Sequence, residues 1–106
     1  MSTGVFAGVA LTLALAAASS LVAAKEPPMS DEDVAGLFAS TCGFCHQDGG
    51  REAGKGPQLM NTKRSDAFIV NRIKHGKEGL MPAFGGALTD GQIKSIVHYI
   101  RQLKPE

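Results

Sequence analysis

The pentapeptide Cys42-Gly43-Phe44-Cys45-His46 constrains this chain more than any other feature, because it holds the only two cysteines present. Two thiols three positions apart are followed directly by an imidazole, so one turn must present all three groups together. C-x-x-C-H is the pattern of covalent haem attachment. Two intervening residues let both sulfurs reach the two vinyl groups on one haem edge, and the next residue brings its imidazole under the iron as proximal ligand. Three other chemistries use paired cysteines: a redox dithiol, a structural disulfide and half of a zinc site. None accounts for all the neighbours. A redox dithiol belongs between a strand and a helix, a context this chain lacks. A zinc site needs four ligands, and His75 and His98 are not at finger spacing. The expectation is therefore one covalent haem c, with its iron, on Cys42, Cys45 and His46.

At 106 residues the chain has room for one domain and not for two comfortable cores. From Lys25 onward it has few large apolar side chains, a marginal core by itself, and a haem would add the missing apolar bulk. The 11 Lys+Arg against 10 Asp+Glu imply no strongly basic face, so no nucleic-acid partner is expected.

Those charges are unevenly placed. Met1 to Ala24 has no charged side chain; the first base is Lys25 and the first acid Glu26. An Ala/Leu/Val-rich run from Val5 to Ala18, then Ser19-Ser20 and Val22-Ala23-Ala24, reads as a secretory signal peptide over residues 1–24, with a small-residue cleavage site. Met1 to Gly4 lacks the usual basic opening. The rival reading is an uncleaved anchor, for which the stretch is just long enough at about 20 residues, although its alanines make it weakly hydrophobic. Either reading exports the domain, so the expected location is periplasmic, with membrane contact only if residues 1–24 are retained.

Residues 25–30, opening Lys25-Glu26-Pro27-Pro28, have linker composition, because two prolines block helix and sheet hydrogen bonds. The domain proper spans residues 31–106. A first helix is predicted from Ser30 or Asp31 to about Thr41, with acids in its first turn and Val34, Leu37 and Phe38 along it. Gln47 to Arg64 is rich in glycine and polar residues without a regular period, which predicts an irregular loop. A second helix fits Ser65 to His75, with Phe68, Ile69 and Ile73 on one face and Gly76 placed for a left-handed stop. The last is the clearest: Thr89-Asp90-Gly91-Gln92 has the form of a capping box, and Ile93, Ile96, Val97, Ile100 and Leu103 follow at spacings of three and four. With no alternating strand pattern, the fold class is all-α, about three main helices packed around one attached haem.

Candidates for the other side of the iron are Met29, Met60, Met81, His75 and His98. Met81 is best placed, in the loop between the second and last helices with Pro82 stiffening the backbone beside it, and a thioether opposite histidine favours reduced iron. Met60 follows soon after His46, on a stretch expected to pass the proximal side first. Met29 reads as a linker residue, His75 as a complement to a helix C-terminus, and His98 as surface. The run Gly49 to Gly56 nearly spells a phosphate-binding loop, but Gly56 stands where Ser or Thr would hold magnesium and no strand precedes it. Its glycines are expected to let the loop wrap a flat haem edge.

These residues resemble the class I mono-haem c-type cytochromes, over roughly Asp31 to Leu103. Cys42, Cys45 and His46 match the family's haem pentapeptide. Gly56-Pro57 resembles its Gly-Pro, which implies that the Pro57 carbonyl accepts a hydrogen bond from His46 and tunes it. Met81-Pro82 resembles its distal Met-Pro, and Phe38 and Tyr99 resemble the aromatics where the first and last helices cross. Val34 departs from the pattern, in which a glycine often stands there.

The resemblance implies an electron-transfer protein rather than an enzyme: a periplasmic one-electron carrier with both axial positions filled by His46 and Met81. Its redox partners would be a dehydrogenase, such as a quinoprotein, as donor and a terminal oxidase of the respiratory chain as acceptor. They would dock near Phe44 and the Met81 loop over a small transient surface. Two alternatives are the cytochrome subunit of a membrane-bound dehydrogenase or oxidase complex, and a haem sensor with an open iron site. The export reading predicts that intact-mass spectrometry of the native protein finds Lys25 at its N-terminus; a retained Met1 to Ala24 would favour the anchored alternative.

Overall fold

The computed structural model describes residues 2–5, 8–12 and 28–106. Residues 2–5 and 8–12, within the expected export segment, are exposed and lie in no regular element. The expected cleavage point, and Lys25 to Pro27 of the expected linker, lie outside the described residues. Among the described residues no helix is long and apolar enough to cross a membrane.

Among the described residues three α-helices carry the architecture: α1 (Asp31–Ser40), α2 (Asp66–His75) and α3 (Asp90–Gln102). Each starts where a short hydroxyl side chain can take up an orphan backbone N–H. Ser30 accepts from the Asp33 amide and Asp33 reaches back to the Ser30 amide, closing a capping box. Ser65 accepts from the Phe68 amide, and Thr89 and Gln92 form a second capping box. Of the two starts expected for α1, Ser30 is the cap and Asp31 the first helical residue, and Ser65 and Thr89 stand as the expected caps directly before α2 and α3.

The core lies where the three helices meet. Val34 and Phe38 from α1, Ile69 and Ile73 from α2, and Ile93, Ile96, Val97 and Ile100 from α3 are buried in one cluster. Phe38 and Tyr99 stack with ring centroids 5.1 Å apart and planes inclined by 29°, and the Tyr99 hydroxyl donates to the Gly49 carbonyl at 3.2 Å. Val34, where the family often has glycine, is fully buried in this core.

Three expectations are corrected. The stretch after His46 is not wholly irregular: β1 (His46–Gln47) and β2 (Glu52–Ala53) pair antiparallel, with His46 opposite Ala53. Two-residue strands are too short to show a period of two, so no pattern in the sequence could reveal them. Phe68 is not core; it is 37% exposed, with the Arg64 and Arg72 guanidinium groups 4.5 and 5.1 Å from its ring centre. Met29 is no free linker residue, being half-buried against the core.

Phe38 sits at the centre of this packing, and Phe38→Ala leaves a cavity beside Tyr99. The holoprotein should lose about 3–5 kcal/mol of stability, read as a lowered midpoint in guanidinium denaturation.

Candidate functional site

The Cys-x-x-Cys-His segment leaves α1 as a 3-10 turn, Cys42–Phe44, closed by the Cys45 amide on the Cys42 carbonyl at 3.2 Å. In a 3-10 turn residues three apart eclipse one another, so both thiols project from the same side. They are half-buried, and neither is in a disulfide. Burial pushes the Cys42 thiol above its ordinary value of 9.0, against a smaller opposing backbone hydrogen bond. A redox dithiol works through a thiolate with a lowered pKa, the opposite of the direction in which burial moves Cys42. Gly43 has no alternative in this turn, since a side chain there would overlap the Phe38 carbonyl at the end of α1.

His46 follows on β1 and is buried, with 9% of its surface exposed. Its Nδ1 lies 2.8 Å from the Pro57 carbonyl oxygen. A carbonyl only accepts, so Nδ1 carries the proton and Nε2 keeps its lone pair free for a metal. The loop that brings Pro57 there folds back on the motif: the Gly56 amide donates to the Cys45 carbonyl and the Gly54 amide to the Gly56 carbonyl, both at 2.9 Å. Gly56 lies flat against the imidazole, and a Cβ there would stand 2.6 Å from His46 Cε1. In the sequence the only signal of this role is a glycine directly before Pro57.

Met81 arrives from a different segment. It is half-buried beside the core together with Phe84 and Leu88, on a loop closed by two hydrogen bonds between Lys77 and Met81, each 2.8 Å. Met60 is also half-buried, with its amide on the Gly50 carbonyl at 3.0 Å and its carbonyl taken by the Gln58 side chain. His75 and His98 are exposed. Among the described residues no three His, Cys, Asp or Glu side chains converge as a metal site, so the zinc alternative for the cysteines is not assembled there. Around these groups two large apolar side chains stand in water, Phe44 at 79% exposed and Leu80 at 67%.

The glycine-rich loop resembling a phosphate site does something else. Gly50, at φ 98°, is backed by Leu103 and Phe38, where a Cβ would meet carbon atoms at 3.1 and 3.3 Å. Its backbone packs on the core while its carbonyl accepts from the Leu59 and Met60 amides.

Residues 27–100 match the family model described as cytochrome c oxidase, cbb3-type, subunit III. The chain is 36% identical over 70 residues to cytochrome c6 of Leptolyngbya boryana, covering 60% of this chain and 81% of that protein. It is 34% identical over 77 residues to the cbb3-type cytochrome c oxidase subunit FixP of Azorhizobium caulinodans, covering 63% of this chain and 25% of FixP. Among solved structures, cytochrome c6 from the diatom Phaeodactylum tricornutum superposes with a TM-score of 0.52 at 26% identity, over 68% of this chain and 91% of that one.

The close seat of Gly56 against His46 predicts that Gly56→Ala displaces the imidazole. Overpacking of this kind costs about 1–3 kcal/mol, to be read as a lowered denaturation midpoint together with a changed visible spectrum.

Proposed function

The chain belongs to the cbb3-type cytochrome c oxidase subunit III family of c-type cytochromes, carries haem c covalently and transfers electrons; on that footing we propose that Cys42 and Cys45 form the thioethers and that His46 and Met81 are the axial ligands. The observation that carries this reading is the buried His46 ring with Nδ1–H committed to Pro57, which leaves Nε2 as a neutral donor. The residues fit the group in other respects. Both thiols are unbridged on one side of a turn, Gly56 leaves room at the imidazole, and Met81 offers a soft thioether from a clipped loop. When bound, the haem supplies a one-electron Fe(II)/Fe(III) couple.

The chain's own contribution is to hold two ligands of different character and to keep them filled. His46 is oriented by Pro57, and the Lys77–Met81 ring limits the excursions of the thioether. With His46 and Met81 both holding the iron, no place would be left on it for a substrate, and the protein would act as a carrier rather than an enzyme. Phe44 and Leu80 mark the surface over which a redox partner docks, with Lys55 and Lys77 exposed nearby in the sequence. We place the carrier in the periplasm, with residues 1–24 as its export signal, 25–30 as a linker and 31–106 as the cytochrome domain. A dehydrogenase is its donor and a terminal oxidase its acceptor. The likeness to FixP favours a second reading, a subunit of an oxidase complex, in which the same site passes electrons within an assembly.

Met81→Ala should abolish the sulfur-to-iron charge-transfer band with haem still attached, and should let the ferrous protein bind carbon monoxide at neutral pH. An unchanged spectrum would move the ligand to Met60 or a histidine.

A further inference from the structure

The last carbonyls of a helix have no partner within it. In α2 three of them are taken by the segment that follows: Arg72 accepts from the Gly76 amide at 2.7 Å, Ile73 from Phe84 at 2.9 Å and Lys74 from Gly85 at 3.0 Å. The chain therefore turns at Gly76, passes through Met81, and returns to lie on the end of the helix it has just left. Gly76 has φ 67° and ψ −165°. That is not the left-handed helical stop expected from the sequence but an extended mirror-image conformation open essentially to glycine alone. A side chain at Gly76 would overlap the Met81 carbonyl and stand 2.7 Å from both the Ala83 nitrogen and the Pro82 carbonyl carbon. Gly79, three residues on, also has positive φ, at 74°, yet a Cβ there meets nothing within 4 Å.

We propose that Gly76 is a positioning residue for Met81: its bare Cα lets the Met81-Pro82-Ala83 backbone seat against the end of α2, and that seat fixes where the thioether is delivered. The inference rests on the reading of Met81 as an axial ligand. Gly76 touches neither the iron nor the haem in this role; it acts through the backbone beside it. Gly85 belongs to the same seat, since a Cβ there would stand 2.9 Å from the Lys74 carbonyl oxygen and from its Cγ, but its φ carries no strain.

The test compares Gly76→Ala, Gly79→Ala, Gly85→Ala and Met81→Ala as purified holoproteins, by charge-transfer band, midpoint potential and carbon monoxide binding. Gly76→Ala should keep its haem but lose the band, fall in potential and admit carbon monoxide, as Met81→Ala does. Gly79→Ala, with positive φ but open space, should keep band and potential. Gly85→Ala should weaken the band in the same direction, and it decides the matter if Gly76→Ala yields no holoprotein. The proposal is overturned if Gly76→Ala, or in its absence Gly85→Ala, keeps the band and potential while Met81→Ala loses them. It is equally overturned if Gly79→Ala loses them to the same extent as Gly76→Ala, because backbone strain alone would then be the cause. A Met81→Ala protein with an unchanged band would instead remove the ligand reading itself and this proposal with it.

Discussion

The hydrogen bond from His46 Nδ1–H to the Pro57 carbonyl, 2.8 Å long, is the contact on which the site depends. A neutral bond of this kind adds only about 0.5–1.5 kcal/mol net, but its larger effect is on chemistry. It chooses the tautomer, and so decides which imidazole nitrogen can donate to a metal. Much of the local structure serves that one bond. The β1–β2 ribbon sets His46 opposite Ala53, the Gly54 to Gly56 turn hangs from the Cys45 carbonyl, and Gly56 gives up a side chain so that the ring can lie against it.

The Met81 loop is organised by different means. It hangs on α2, so the precision of Met81 depends on how firmly that helix is held. At its C-terminal end Lys74 pairs with Asp90 at 3.0 Å, and the Phe84 and Gly85 amides cap its carbonyls. At the other end Arg101 of α3 meets Asp66 at 2.8 Å and also donates to the Thr62 and Arg64 carbonyls. Exposed ion pairs alone contribute about 0–1 kcal/mol. Arg101 differs because its planar fork engages three acceptors at once, which ties the segment before α2 to the last helix. With both ends of α2 fixed, the Lys77–Met81 turn is left as a short ring between two anchored points.

The sequence made the helices legible because each had its own local signal. Ser30, Ser65 and Thr89 announce the caps, and the spacing of Ile93, Ile96, Val97 and Ile100 identifies the buried face of α3. The cysteine-histidine motif was legible because its function requires contiguity. What could not be read depended on how the backbone folds back and which side chains it brings over a neighbour. Phe68 looks apolar beside Ile69, but Arg64 and Arg72 cover it at the surface. Gly76 looked like a helix stop, because nothing local says that Met81 to Ala83 will return to press against it. Gly56 stands out in the sequence only through its resemblance to a family feature, while its physical reason, the imidazole lying 2.6 Å from where a Cβ would sit, belongs to the fold.

The proximal and distal halves of the site thus constrain backbone and small residues, and they leave the large apolar side chains at the rim almost free. Phe44 stands between the two cysteines and Leu80 directly before Met81, yet both are mostly in water. Keeping such groups exposed gains nothing for folding, since burial of apolar area is what stabilises. On the carrier reading proposed above, such groups are covered by the haem edge and by a partner's small encounter interface. Neither side chain belongs to the buried core, so on that reading the rim can be altered for a new partner while the His46–Pro57 bond and the seat of Met81 stay in place. On that reading, partner choice and ligand geometry are carried by different atoms of the same short segments.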